Sequence, residues 1–287
     1  MEKTEAKRDN IKILVTLNEN YMMQLKVMLT SLFINNPGEV FEVYLLHRGI
    51  GEESLKRLEM FCQKNGAELK TGLVDEKLFE KAPLTREYPQ EMYYRLLAPF
   101  LLPEEKGRFL YLDPDILVIN PIRKLWETDL CGNLFAAAAH TGKTEFANDM
   151  NRIRLKVENN YFNSGVLVMD FDAGRQEIVP STVFDYVKEH EKELVLPDQD
   201  VLNGLYGRRI LELPDVLYNY DARNFSNYYL RSSGEANVDW VMENTVILHF
   251  CGKAKPWKPF YRHRFGIIYK HYMQLAKRMD TYQGQRR

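Results

Sequence analysis

Between Ile11 and Val74 the chain alternates short apolar runs with amphipathic helical patterns, and this alternation constrains the fold most. Ile11 to Leu17 (IKILVTL) is rich in β-branched and apolar residues and reads as a buried strand. Polar Asn18-Glu19-Asn20 follows, and then Met22, Leu25, Leu29, Leu32 and Phe33 recur at helical spacing until Pro37-Gly38. Phe41 to Leu46 is a second strand. Glu52 to Lys64 is a second helix, apolar at Leu55, Leu58 and Phe61 and ended by Asn65-Gly66. Ala67 to Val74 is a third strand. Strands alternating with such helices predict an α/β sheet covered on both faces.

The pattern continues less regularly. Tyr93 to Leu102 is a helix carrying Arg95, and Arg108 to Leu112 is a strand running into Asp113-Pro114-Asp115. Leu134 to Ala139, Gly165 to Asp170, Ile210 to Leu213 and Thr245 to Phe250 are further strands; Ser181 to Lys192 and Val201 to Tyr206 are helices. No repeat, low-complexity stretch or linker interrupts them. The expected organisation is one α/β domain over residues 1–257, its elements starting near residue 10, and a basic tail over 258–287.

A hydrophobic content of 45% with 28% charged residues excludes a disordered, collagen-like or coiled-coil chain. With 39 basic and 40 acidic residues, no nucleic-acid coat is expected. Cys62, Cys131 and Cys251 have no CxxC spacing, so neither a disulfide framework nor a structural zinc site is expected, which suits a reducing cytosol. Met1 to Asn10 lacks the apolar stretch of a signal peptide, and no run approaches the roughly 18 apolar residues of a spanning helix. The expected location is therefore cytoplasmic.

Charge is uneven. Residues 258–287 hold eight Lys/Arg and one acid, Asp280, a net +7 against −8 for the remainder. Phe265, Ile268, Tyr269, Tyr272 and Ala276 follow helical spacing, with Arg264, Lys270, His271, Lys277 and Arg278 largely on the other side. Two readings are open: peripheral contact with an anionic inner leaflet, at roughly 1 kcal/mol per basic residue, or packing on the acidic body.

Four motifs carry chemistry. In FLYLDPDILV, Asp113 and Asp115 are spaced i and i+2 and point to one side of extended backbone, while Pro114 stiffens the segment and leaves the strand ladder. Such a pair repels itself unless a cation lies between, and a hard ion such as Mn²⁺ or Mg²⁺ fits; a surface turn is the plain alternative. Its place at a strand's C-terminal end is where open α/β sheets bind ligands. HFCGKAKPW, from His249 to Trp257, follows another strand; His249 offers a third ligand and Lys255 a charge for phosphate. Asn163-Ser164-Gly165 presents an amide to a polyhydroxylated ligand or is simply a polar turn. In PDQDVLN, Asp198 is expected to N-cap a helix, with Gln199 and Asp200 in its first turn.

YLDPDILV, NSGVLVMD, LPDQDVLNG and HFCGKAKPW, in this order, resemble the retaining glycosyltransferases of family 8, which include bacterial lipopolysaccharide galactosyltransferases and glucosyltransferases. The resemblance covers about residues 11–257. It implies a glycosyltransferase A-type fold, Rossmann-like, with a mixed sheet and helices on both faces. It implies that Asp113, Asp115 and His249 hold Mn²⁺, or Mg²⁺, against the diphosphate of a UDP-sugar. Thr16, Asn18 and Asn20 match the loop around uracil and ribose, with Tyr21 starting the helix; many relatives carry an acid at the position of Asn18. Arg95, Lys255 and Gly252 match donor-binding positions, and Asn163, Asp198 and Gln199 match residues around the donor sugar. The implied activity is transfer of glucose or galactose to a glycan or glycolipid acceptor. A sugar nucleotidyltransferase is a rival, but LVTLNENY lacks its glycine-rich phosphate loop. A non-catalytic nucleotide-sugar-binding module is the second rival.

Overall fold

The computed structural model describes residues 8–75, 91–139 and 143–281. The first seven residues and the last six of the expected tail lie outside them. From the N-terminus the elements are β1 (Ile11–Thr16), a 3-10 turn (Glu19–Tyr21), α1 (Met22–Asn35), β2 (Phe41–His47), α2 (Glu52–Lys64) and β3 (Glu68–Leu73). Then come α3 (Glu91–Leu101), β4 (Arg108–Leu112), β5 (Ile116–Val118), α4 (Arg123–Trp126), β6 (Phe135–Ala138), α5 (Lys143–Leu155), β7 (Val166–Asp170) and α6 (Phe171–Glu177). The C-terminal part holds α7 (Pro180–Glu189), α8 (Pro197–Tyr206), β8 (Ile210–Leu213), α9 (Asp215–Tyr218) and β9 (Tyr220–Asp221). It ends with α10 (Phe225–Arg231), α11 (Val238–Asn244), β10 (Ile247–His249) and α12 (Gly266–Thr281).

Among the described residues, seven strands form one sheet in the order β3-β2-β1-β4-β7-β6-β8. All pairings are parallel except those of β7 with β4 and β6, so one strand runs against the rest and the sheet is mixed, as expected. The order reverses between β1 and β4, and the C-terminal ends of those two strands carry Thr16 and Asp113. That switch point is where an open α/β sheet leaves a crevice. A small second sheet, β5-β10-β9, stands beside it, with β10 antiparallel to β5 and parallel to β9.

Burial explains why β1 shows no alternation. Ile11, Ile13 and Val15 join a core with α1 and α2 residues such as Leu29 and Leu58, while Leu14 joins a core on the opposite face with Tyr94 and Leu97 of α3. A third core joins the small sheet to α12 through Leu117, Tyr220, Leu248, Phe265, Tyr269, Tyr272 and Ala276. The apolar side expected of residues 258–287 is thus buried on the body. Lys26 of α1 meets Asp280 at 2.7 Å, and Asn35 Nδ2 donates to the Tyr272 hydroxyl at 2.7 Å. Among the described residues, no helix is long and apolar enough to cross a membrane.

Candidate active site

Strand register builds the site. β4 pairs antiparallel with β7, and the next backbone bond, Asp113 N–H to the Gly165 carbonyl (2.8 Å), lays the Asn163-Ser164-Gly165 turn beside Asp113. On the small sheet, His249 of β10 pairs with Ile116 of β5, and the Phe250 N–H donates to the Asp115 carbonyl at 3.0 Å. His249 therefore abuts the second acid. Its Nε2 lies 3.3 Å from Asp115 Oδ1 and 3.9 Å from Asp113 Oδ2.

The ligand atoms of Asp113, Asp115 and His249 all lie within 4.8 Å of one another, and among the described residues no other trio of His, Cys, Asp or Glu comes together this way. Two carboxylates and an imidazole are an oxygen-rich donor set that suits Mn²⁺ or Mg²⁺. Gly165 leaves the room: a Cβ there would collide with His249 Cε1 and lie 2.6 Å from Asp113 Oδ2.

Electrostatics match an ion site. Burial would raise the Asp115 carboxyl, but His249 and the Lys255 ammonium, which donates to Asp115 Oδ2, hold it well below the usual carboxylate range. Burial works against charge on His249, yet Cys251 and Asp115 beside it raise its pKa well above the ordinary histidine value. Positive charge beside these acids is what a bound cation would supply.

A cleft of about 320 Å³ opens on this cluster, lined by Thr16, Asn18, Tyr21, Arg95, Asp113, Asp115 and Lys255 among others. Asn18 caps the 3-10 turn, its Oδ1 accepting from Asn20 N–H at 3.1 Å. Asn20 itself is exposed and is not part of the lining. Gly252 also stands outside the lining, in a turn at φ +80° where a Cβ would meet the Arg223 guanidinium.

Arg95 is buried on α3 and ties the acids together. Its Nη1 lies 3.2 Å from Asp113 Oδ1 and 3.3 Å from Asp198 Oδ2 and donates to the Ser164 carbonyl at 2.8 Å. Tyr111, two residues before Asp113, donates to Asp113 Oδ1 at 2.6 Å, and the Arg95 guanidinium lies 4.5 Å from the centre of its ring.

The expectation for Asp198 needs correction. α8 begins at Pro197 with Leu196 as its cap residue, so Asp198 is already helical. Its carboxylate instead accepts from Ser164 Oγ at 2.8 Å, and burial raises its pKa against the pull of Arg95. No side chain takes over that capping role; Asp200 reaches back from inside the helix, its Oδ2 accepting from the N–H groups of Val195 (2.7 Å) and Leu196 (3.0 Å) ahead of it. Arg154 and the Tyr161 hydroxyl take up the rest of the Asp200 carboxylate, which is fully buried. Gln199 does reach the site: its Oε1 accepts from Asn163 Nδ2 at 3.1 Å.

Sequence reasoning missed Tyr111, Glu91 and Asn219. The i, i+2 spacing of Tyr111 and Asp113 was the available signal for the first. Glu91 lines the cleft, ion-paired with Arg48 at 3.0 Å, and among the described residues neither of its carboxylate oxygens accepts a hydrogen bond. Asn219, in the unremarkable string LPDVLYNYD, lies behind His249, with Oδ1 2.8 Å from Nδ1.

With this geometry in view, similarity to known proteins has a site to explain. The family model for Glycosyl transferase family 8 matches residues 12–260. General stress protein A of Bacillus subtilis is 31% identical over 280 residues, spanning 94% of this chain and 96% of that protein. The lipopolysaccharide 1,2-glucosyltransferase of Escherichia coli K12 is 25% identical over 250 residues, covering 84% of this chain and 71% of its own. A structure of the galactosyltransferase LgtC with donor and acceptor sugar analogs superposes with a TM-score of 0.77 at 22% identity, over 92% of this chain and 96% of that one.

Proposed function

The chain belongs to glycosyl transferase family 8, and we propose that it moves glucose or galactose from a UDP-sugar to a glycan or glycolipid acceptor with retention at the anomeric carbon. The observation that carries this reading is the Asp113-Asp115-His249 cluster, whose two acids line the cleft with Thr16, Asn18 and Lys255. Asp113, Asp115 and His249 would hold Mn²⁺ or Mg²⁺, which when bound would supply Lewis acidity toward a diphosphate leaving group. Lys255, beside Asp115, adds a positive charge where negative charge grows on that diphosphate. Arg95 adds a second charge and holds Asp113 and Asp198 in place. Thr16 and Asn18 lie at the end of β1, where the nucleoside would enter.

Gln199 is a neutral amide and a poor nucleophile, so it serves as a polar partner for the developing sugar cation. Asp200 is unsuited to covalent catalysis, because Arg154, Tyr161 and two backbone N–H groups occupy both its oxygens. Asp198 is committed to Ser164 and Arg95. Substitution on one face of the sugar fits these constraints: the bond to UDP breaks, the acceptor oxygen attacks from the same side, and its proton passes to the departing phosphate oxygen. Family membership removes the nucleotidyltransferase reading. The proposal also places the chain in the cytoplasm, with the outer basic face of α12 against an anionic membrane surface.

The test is UDP release from UDP-glucose and UDP-galactose, with and without Mn²⁺, by the wild type and by Asp115→Ala. Release should need the ion and should vanish in the variant while far-UV circular dichroism is unchanged. Release that ignores Mn²⁺, or survives Asp115→Ala, contradicts the reading; a wild type that binds UDP but never turns over is a binding module instead.

A further inference from the structure

Asn219 is fully buried at the entry to β9, and the parallel pairing of β9 with β10 brings it behind His249. The direction of each hydrogen bond around it follows from one backbone group. The Gly165 N–H can only donate, and it donates to Asn163 Oδ1 at 2.9 Å. The Asn219 amide atom 2.9 Å from that same oxygen must therefore be the donor Nδ2. Asn219 then turns its Oδ1 to His249 Nδ1, 2.8 Å away, and an amide oxygen only accepts. So Nδ1 carries its proton, and Nε2 is the nitrogen presented to Asp113 and Asp115. The other end of Asn163 is settled by the same logic: its Nδ2 donates to Gln199 Oε1 at 3.1 Å.

We propose that Asn219 is a positioning residue that locks His249 with Nε2 toward the ion and, as a second donor to Asn163 Oδ1 beside the Gly165 N–H, holds in place the Asn163 amide that meets Gln199. This rests on the reading of Asp113, Asp115 and His249 as an ion site. It adds that the ion site and the sugar site share one chain of amides, His249–Asn219–Asn163–Gln199, anchored on a backbone N–H. Groups that orient a metal-bound histidine through its other nitrogen govern metal affinity or activity by about 10–100-fold.

The two ends of the chain separate by substitution. Asn219→Leu removes both contacts. Asn219→Asp keeps an oxygen to accept from Nδ1–H but sets a second acceptor against Asn163 Oδ1, so it should restore one link and break the other. Mn²⁺ affinity, read by electron paramagnetic resonance titration of the full chain without donor, is measured beside kcat for UDP release, with His249→Ala as the reference. Asn219→Leu should weaken Mn²⁺ binding about 10–100-fold. Asn219→Asp should recover most of that binding while kcat stays about tenfold or more below wild type.

Asn219→Leu that folds and binds Mn²⁺ like wild type overturns the proposal, as does a folded Asn219→Asp that has full kcat or fails to hold the ion. Should Asn219→Leu not fold, the split between ion binding and kcat in Asn219→Asp decides alone. If His249→Ala binds Mn²⁺ like wild type, the ion-site reading itself has failed, which is a different result.

Discussion

Gly165 accepts the Asp113 N–H through its carbonyl and donates its own N–H to Asn163, so the backbone entering β7 runs directly beside Asp113. A methyl group there has no room, since it would meet His249, Asp113 and the Asn163 oxygen at once. Overpacking of this kind costs about 1–3 kcal/mol, and it would fall on two ion ligands. Gly165→Ala should therefore weaken Mn²⁺ binding by about tenfold or more, equivalent to about 1.4 kcal/mol. Calorimetric titration with Mn²⁺ checks it; unchanged affinity in a folded variant would mean that His249 and Asp113 do not share an ion. At this scale the acids, His249 and Lys255 stood out as candidates because residue type and spacing state their chemistry, whereas Arg95 was marked only by the family resemblance. Asn219 and Tyr111 did not stand out, because an amide or a phenol acquires such a role only from what the fold places beside it. Asp198 and Asp200 show the same limit: two acids in one helical turn look alike in a string, and burial beside Arg95 or Arg154 divides their work.

Among the elements, long apolar runs were legible to within a residue or two. β4 and β8 match their expected ends, and so does α2, with its acidic first turn and Asn65-Gly66 stop. β5 and β9, of three and two residues, are too short for any periodicity to register, yet they flank β10 and set the place of His249. α5 shows no clear apolar stripe in its sequence, KTEFANDMNRIRL, and went unseen. α12 was seen as a helix, and of the two readings open for its apolar side the structure shows packing on the body. Phe265, Tyr269, Tyr272 and Ala276 are buried, and large aromatic side chains in a core cost about 3–5 kcal/mol each to remove, against a total stability of about 5–15 kcal/mol. A chain cut at Trp257 would thus lose much of its stability, so membrane contact is better tested on the full chain. Lys270, Lys277 and Arg278 lie exposed on the outer face of α12. Wild type should pellet with anionic vesicles at low salt and detach at high salt, and replacing these three residues by Glu should abolish pelleting. Pelleting that persists in the variant, or is absent in the wild type, removes α12 from any membrane role.

For the whole molecule, alternation of strand and helix predicted the class of fold, and the sheet order with its reversal between β1 and β4 explains why Thr16 and Asp113 meet at one crevice. The reversed direction of β7 was not legible, because a strand buried on both faces reads the same in either direction. Nor was the second sheet, which carries His249 to the first. The central claim joins both sheets through one ion: Asp113 at the end of β4, Asp115 before β5 and His249 on β10 must grip it together. A crystal grown with Mn²⁺ and UDP, measured at a wavelength where manganese scatters anomalously, tests this directly. The account predicts one strong anomalous peak with all three side chains at coordination distance, about 2.0–2.6 Å, and the diphosphate on its open side. UDP bound in the cleft with no peak there, or with a peak that leaves out His249 or either carboxylate, would contradict it.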